Sequence, residues 1–218
     1  MATPVMIIGE SGSGKTFSIR ELLLKYPSST MLINVTNKPL PFKAKNVKSI
    51  STDDADKIMG YCKAAVEEKG IKQIVIDDAG YVMTDMFMAK AMEKGYEKFS
   101  TIGKKFFDLI NFTKTLPDDV TIYYIMHTEA CDDGKTRAKT IGKMLNDKVT
   151  LEGLFTIVLL CQTDGKKHVF VTQSDGTTTA KSPIDMFDME IPNDLCYVDE
   201  QIRDYYDLPL SKEATAND

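Results

Sequence analysis

The stretch Gly9-Glu10-Ser11-Gly12-Ser13-Gly14-Lys15-Thr16 decides how this chain is read. Before it stands Val5-Met6-Ile7-Ile8, a short apolar run that reads as a buried strand. After it Ile19, Leu22, Leu23 and Tyr26 recur at helical spacing until Pro27 stops the helix. Strand, glycine-rich turn and helix in that order make a phosphate-binding loop. The glycines are needed because the backbone must wrap closely around phosphate oxygens, in conformations that a Cβ would block. Successive N–H groups then point inward, and the following helix turns its positive end to the same anion. Lys15 is expected to neutralise the β- and γ-phosphates of ATP, as a binding and a catalytic group, and the Thr16 hydroxyl to take one Mg²⁺ position. Nucleotide contacts are therefore expected at Gly9, Glu10, Ser11, Gly12, Ser13, Gly14, Lys15, Thr16 and the adjoining Phe17.

Further along, Met31 to Val35 reads as a second strand, and the prolines of Asn37-Lys38-Pro39-Leu40-Pro41 then turn the chain. Ser51-Thr52-Asp53 offers helix caps before a periodic stretch from Ala55 to Lys69 that Gly70 ends. Ile74-Val75-Ile76 is the next buried strand and finishes on Asp77-Asp78. A Met-rich helix over 82–92 and a second helix carrying Phe99, Ile102, Phe106, Leu109 and Ile110 on one face follow. Lys90, Lys94 and Lys98, four apart beside Glu93 and Glu97, read as a solvent-facing helical stripe, and Met83, Met86, Met88 and Met92 as core filling. Val120 to Met126 is a long β-branched and aromatic strand ending at His127-Thr128-Glu129. The polar segment 130–149 has little apolar periodicity and is expected to be a long mobile loop. Residues 155–161 and 168–172 pair as a hairpin, and 194–206 form a final helix. The fold class is α/β, a P-loop NTPase with a mostly parallel central sheet flanked by helices and a C-terminal antiparallel hairpin. One domain is expected over 1–207, with a flexible tail over 208–218.

Composition narrows the function. With 27 Lys and Arg against 32 Asp and Glu the net charge is -5, so the chain does not coat nucleic acid over its whole surface. A nucleic-acid role must come from a local patch or from many subunits lining a shared groove. Cys62, Cys131, Cys161 and Cys196 are scattered, and with only His127 and His168 beside them they form no zinc set. They read as free thiols in a reducing cytoplasm, where the chain is expected to work. No signal peptide is visible, and no apolar run approaches the roughly 20 residues that span a bilayer.

Asp77 ends a buried strand, which puts its carboxylate beside the phosphate loop where it can hold Mg²⁺ through water. Asp78 is a candidate general base that orients the attacking water, with a cap for the turn at Gly80 as the alternative. His127, at the end of the next strand, is placed to touch the γ-phosphate and report it to the following loop; His168 reads as structural. Lys135, Arg137, Lys139, Lys143 and Lys148 give that loop a local excess of positive charge over Asp132, Asp133 and Asp147. Lys135, Arg137 and Lys139 are its candidate contacts to a nucleic-acid backbone.

Taken together, the phosphate loop, Asp77-Asp78 and His127 with its following loop resemble the RecA-like P-loop ATPases. More closely, the chain resembles phage-encoded ATP-binding proteins of single-strand annealing and recombination, in the 34–41 segment, the His127 strand end and the late stretch from 180–183 to 191–192 as well. The resemblance implies that His127 senses γ-phosphate, that the loop after it meets single-stranded DNA, and that the protein forms a homo-oligomer, working beside a single-strand binding protein. In such assemblies a cation from the next subunit completes the site, a part that falls here to Lys181. The family places a catalytic Glu just after the second strand; Asn34, Thr36 and Asn37 stand there instead. A small-molecule kinase and a nucleotide-gated adaptor that barely hydrolyses ATP are the alternatives. The scarcity of arginine (Arg20, Arg137 and Arg203) counts against a kinase lid.

Overall fold

Near-continuous apolar runs whose two faces are both buried belong to parallel strands covered by helices on each side. The computed structural model, which describes residues 1–44, 47–131, 134–142 and 144–211, builds these runs into one sheet. In chain order the strands are β1 (Thr3–Gly9), β2 (Thr30–Asn34), β3 (Ser49–Ile50), β4 (Gln73–Asp77), β5 (Thr121–Ala130), β6 (Thr136–Ala138), β7 (Ile157–Thr163), β8 (His168–Val171) and β9 (Glu190–Pro192). The helices are α1 (Arg20–Lys25), α2 (Ala55–Lys69), α3 (Tyr81–Ala89), α4 (Glu97–Asn111) and α5 (Leu195–Tyr205). The strand order is β3-β2-β4-β5-β1-β7-β8-β9, parallel as far as β7 and antiparallel beyond it. This is the expected mostly parallel sheet with an antiparallel C-terminal end.

Alternation along the strands divides the core. Met6, Ile8, Ile122, Tyr124 and Met126 face α2, α3 and α4, while Val5, Ile7, Tyr123 and Ile125 face α1 and α5. On α4, Ile102, Phe106, Leu109 and Ile110 fall on one buried stripe. The cap of α2 is Asp54 rather than the three residues before it: its Oδ1 accepts from the N–H groups of Asp56 and Lys57. Among the described residues no helix is long and apolar enough to cross a membrane.

Three segments differ from expectation. The 130–149 segment is not a structureless loop. β5 runs on through His127 to Ala130 and folds back as β6, with Glu129 opposite Arg137, an opposite-charge pair across the ribbon. A π-helical turn follows over Met144–Val149; Asp132, Asp133 and Lys143 lie outside the described residues. The Met-rich helix stops at Ala89, and beyond its end the Lys98 ammonium donates to the carbonyls of Lys90, Ala91 and Glu93. Residues 90–96 therefore carry no helical stripe. Met83 is buried as expected, whereas Met88 and Met92 are exposed.

The third difference concerns the C-terminus. Arg203 on α5 is 1 % exposed and its Nε donates to Asp199 Oδ2 at 2.7 Å. Asp199 also accepts from Tyr123 Oη and Gln73 Nε2, while the remaining guanidinium nitrogens reach the carbonyls of Pro209, Lys72 and Asp119. Leu208 N–H donates to Arg203 O, and Gln73 Nε2 also reaches Ser211 Oγ. The start of the expected tail, 208–211, is thus tied to the bottom of the sheet; 212–218 lie outside the described residues.

Candidate functional site

The loop between β1 and the first helical turn bends where only glycine bends easily: φ is +81° at Gly12 and +103° at Gly14. A Cβ on Gly14 would also lie 2.6 Å from Asn193 Nδ2 and 2.8 Å from His168 Nδ1. The helix does not begin directly after the loop. Phe17–Ile19 form a 3-10 turn, because Ser18 Oγ donates to Lys15 O at 2.6 Å and tightens the first turn before α1. Lys15 lies across the loop, its Nζ donating to Gly9 O at 2.8 Å and Glu10 O at 2.6 Å. Burial pushes its ammonium below the ordinary lysine range, against the pull of Cys161, Asp78 and Asp77.

The loop rests on side chains that the sequence reading did not single out as functional. Ser13 O accepts from Cys161 Sγ at 3.0 Å and from His168 Nδ1–H at 2.7 Å, and Asn193 Nδ2 donates to Gly14 O at 3.1 Å. His168 is structural in the particular sense of propping the phosphate loop. These contacts join residues far apart in the chain; β7 running parallel to β1 sets Cys161 opposite Gly9, a pairing that no local pattern announces.

Strand order brings the acids and His127 to the same end. β5 lies between β1 and β4, so His127 stands opposite Gly9 and Asp77 closes the neighbouring strand. Thr16 Oγ1 donates to Asp77 Oδ1 at 3.1 Å, a hydroxyl and a carboxylate side by side, which is the hard-oxygen donor set that suits Mg²⁺ shared with phosphate oxygens. Burial pushes the Asp77 carboxyl up to about 6, and the charge of Asp78 adds to this. Asp78 has φ +60°, a left-handed backbone that Asp tolerates better than most residues. Burial acts to raise its carboxyl too, but hydrogen bonds from His127, Lys38 and Thr36 outweigh it and hold the group well below the usual range. The distances are 3.4 Å from His127 Nε2, 3.1 Å from Lys38 Nζ and 3.0 Å from Thr36 Oγ1. A carboxylate held by three donors is suited to positioning and has little appetite for a proton. His127 accordingly meets Asp78, and packs edge-on to Tyr81 at 6.0 Å.

The opposed shifts of the two acids have a consequence for the metal-free protein. Asp77 binds its proton more tightly when folded, so its ionisation costs stability that sets in as pH rises from 3.8 to about 6. Asp78 does the reverse, contributing stability that is lost as pH falls through the acid range below 3.8. Asp77→Asn should therefore raise the melting temperature of the metal- and nucleotide-free chain at pH 7 by ~3–8 °C. The gain should shrink towards pH 4. A melting temperature at pH 7 that is unchanged or lower would refute this account of Asp77.

The candidate DNA contacts separate. The β5–β6 ribbon carries Lys135, Arg137 and Lys139 at alternate positions, with Ala138 buried on the other side. Arg137 is paired with Glu129, whose carboxylate also accepts from Asn146. Lys139 lines a cleft of about 380 Å³ with Ser11, Lys38, Tyr81 and His127, and its N–H donates to His127 O. A larger cleft of about 640 Å³ opens on the other side of the ribbon, between Glu10, Ser13, Thr136, Cys161 and Asp164. Lys181 is half-buried and its backbone bridges to Val158 on β7.

A parallel sheet with a glycine loop at the carboxyl end of its central strand, an acid closing a nearby strand and Lys and Thr in the loop defines an α/β P-loop NTPase. Within that class, residues 1–184 match the family described as the AAA domain, and the chain belongs to it. It is thus a nucleotide-binding ATPase domain, to which α5 adds a helix beyond the matched residues. No curated protein matches the chain.

Proposed function

We propose that this protein is an ATP- and Mg²⁺-dependent ATPase that acts on single-stranded DNA, in strand annealing or recombination of the phage-encoded type, as a homo-oligomer beside a single-strand binding protein. In this reading Gly9–Thr16 and Phe17 hold ATP, Lys15 neutralises its phosphates, Thr16 and Asp77 hold the metal, and Asp78 and His127 serve the γ-phosphate end. The metal would supply charge neutralisation at the phosphates. The observation that carries the proposal is the β5–β6 ribbon. It begins at His127, beside the phosphate loop, and carries Lys135, Arg137 and Lys139 at alternate positions. In this reading the ribbon links a change at the nucleotide to these basic residues.

Replacing Lys135, Arg137 and Lys139 by Ala should weaken single-stranded DNA binding and flatten the slope of log affinity against log salt by about 0.7 for each phosphate no longer neutralised. Nucleotide binding should persist in the Lys135→Ala, Arg137→Ala double variant, which leaves Lys139 in its cleft beside Ser11 and His127. His127→Ala should retain both ligands yet lose the dependence of one on the other, since a link contributes coupling free energy rather than affinity. DNA titrations at several salt concentrations, with ATP, with ADP and without nucleotide, read both effects. Absence of salt-dependent DNA binding by the unaltered protein in every state would end the DNA reading.

One observation favours a second reading, a nucleotide-gated adaptor with little hydrolysis: Asp78 is occupied by three donors, and no acid follows β2. ATP turnover with and without single-stranded DNA separates the two. The kinase reading draws no support, because Arg20 pairs with Glu21, Arg137 with Glu129, and Arg203 is buried.

A further inference from the structure

The segment after β2 carries Thr36, Asn37 and Lys38, and two of these reach Asp78. Its backbone is fixed. Val35 N–H donates to Asp77 O, Asn37 turns the chain at φ +53° with its N–H on Asn34 O, and Asn34 Nδ2 donates to Lys38 O at 2.7 Å. The side chain that this anchored turn presents is not fixed in the same way. Lys38 is 60 % exposed along its side chain, with Nζ 3.1 Å from Asp78 Oδ2 and 4.9 Å from the centre of the Tyr81 ring. It lines the same 380 Å³ cleft as Ser11 at the tip of the phosphate loop and His127 beside Gly9. A long flexible cation on a rigid base thus borders the space beyond the loop tip, into which the terminal phosphate of a triphosphate held by the loop would extend.

Charge favours its use there. Asp77 and Asp78 both lie at this end of the sheet, and Lys15 is the loop's own cation, already buried against Gly9 O and Glu10 O. Even with Mg²⁺ bound a triphosphate keeps net negative charge beside Asp78, and of the two lysines that line the cleft, Lys38 and Lys139, Lys38 already sits on an oxygen anion there, so redirecting it exchanges one such partner for another.

We propose that Lys38 is a γ-phosphate ligand supplied from within the same chain, paired with Asp78 when no nucleotide is bound and turned to the terminal phosphate when ATP is bound. This rests on the nucleotide reading of the site and goes beyond it by naming a cation outside the phosphate loop. In hydrolysis a water oxygen bonds to the γ-phosphorus as its bond to the bridging oxygen of ADP breaks, and the water's proton leaves with the phosphate product or to solvent. Lys38 neutralises the phosphoryl oxygens throughout and exchanges no proton. Once the γ-phosphate has gone, the ammonium returns to Asp78.

The test compares affinities for ATPγS and ADP, each with Mg²⁺, by calorimetry, in the full chain and in Lys38→Ala, Lys38→Arg and Thr36→Ala. Lys38→Ala should weaken ATPγS binding about 10- to 100-fold, the worth of one hydrogen bond to a charged group. ADP binding should stay within about 2-fold. Lys38→Arg should recover most of the preference for ATPγS. Thr36→Ala removes a different Asp78 partner, so its ratio of the two affinities should match the parent; a matching loss there would mean that Lys38 acts only by propping Asp78. Equal losses for ATPγS and ADP in Lys38→Ala, or no loss, would overturn the assignment while leaving the nucleotide site intact. Failure of the unaltered chain to bind either nucleotide would take down the nucleotide reading and Lys38 with it.

Discussion

Lys15→Ala is expected to reduce nucleotide affinity by ~2–5 kcal/mol, about 30-fold at the least, while leaving the fold intact. Lys15 is 6 % exposed, and its ammonium is the one side-chain cation held inside the loop, on the carbonyls of Gly9 and Glu10. Truncation deletes the charge that faces the phosphates and leaves those carbonyls turned towards the incoming anion. The fold should tolerate the loss, because burial already works against the charged ammonium and no apolar cluster includes Lys15. Fluorescent-nucleotide titration and a thermal melt of the same sample separate binding from folding. Unchanged affinity would mean that nucleotide does not sit on this loop.

The largest effect on stability is expected at the other end of the sheet. Arg203→Ala should cost ~3–5 kcal/mol, because it leaves the Asp199 carboxylate fully buried without its cation. The carbonyls of Lys72, Asp119 and Pro209 lose a donor at the same stroke. Set against the roughly 5–15 kcal/mol that holds a typical domain together, this brings the chain near unfolding at moderate temperature. The double variant Asp199→Asn with Arg203→Met should recover a large part of the loss, since neither residue then carries a buried charge. Urea unfolding midpoints for the three proteins decide the matter. A single variant within about 1 kcal/mol of the parent would show that the Arg203–Asp199 pair contributes little to holding α5.

Much of the site was legible because its pieces are local. Gly9 to Thr16 is a continuous motif, and its physics needs only consecutive residues: glycines that reach positive φ, a lysine and a hydroxyl. Asp77 could be recognised because an acid that ends a buried apolar run must emerge at a strand's carboxyl end. The β5–β6 ribbon was misread for the opposite reason. Thr136-Arg137-Ala138 is too short and too polar to show periodicity, and it becomes a strand only because Thr128 to Ala130 lie opposite it, with Glu129 facing Arg137.

The phosphate loop, the acid-terminated strand and the alternation of apolar strands with amphipathic helices were readable from the residues alone, and with them the α/β class. These depend on residues within a turn or two of one another, where backbone sterics and hydrophobic period act directly. What surrounds the loop came from folding in three dimensions: Cys161, His168 and Asn193 beneath it, and Thr36, Lys38 and His127 converging on Asp78. It also decided that 208–211 dock through Arg203. These contacts follow from the lateral order of the strands. That order is set by which apolar faces pack together across the whole domain, a competition in which no single stretch of sequence carries the answer.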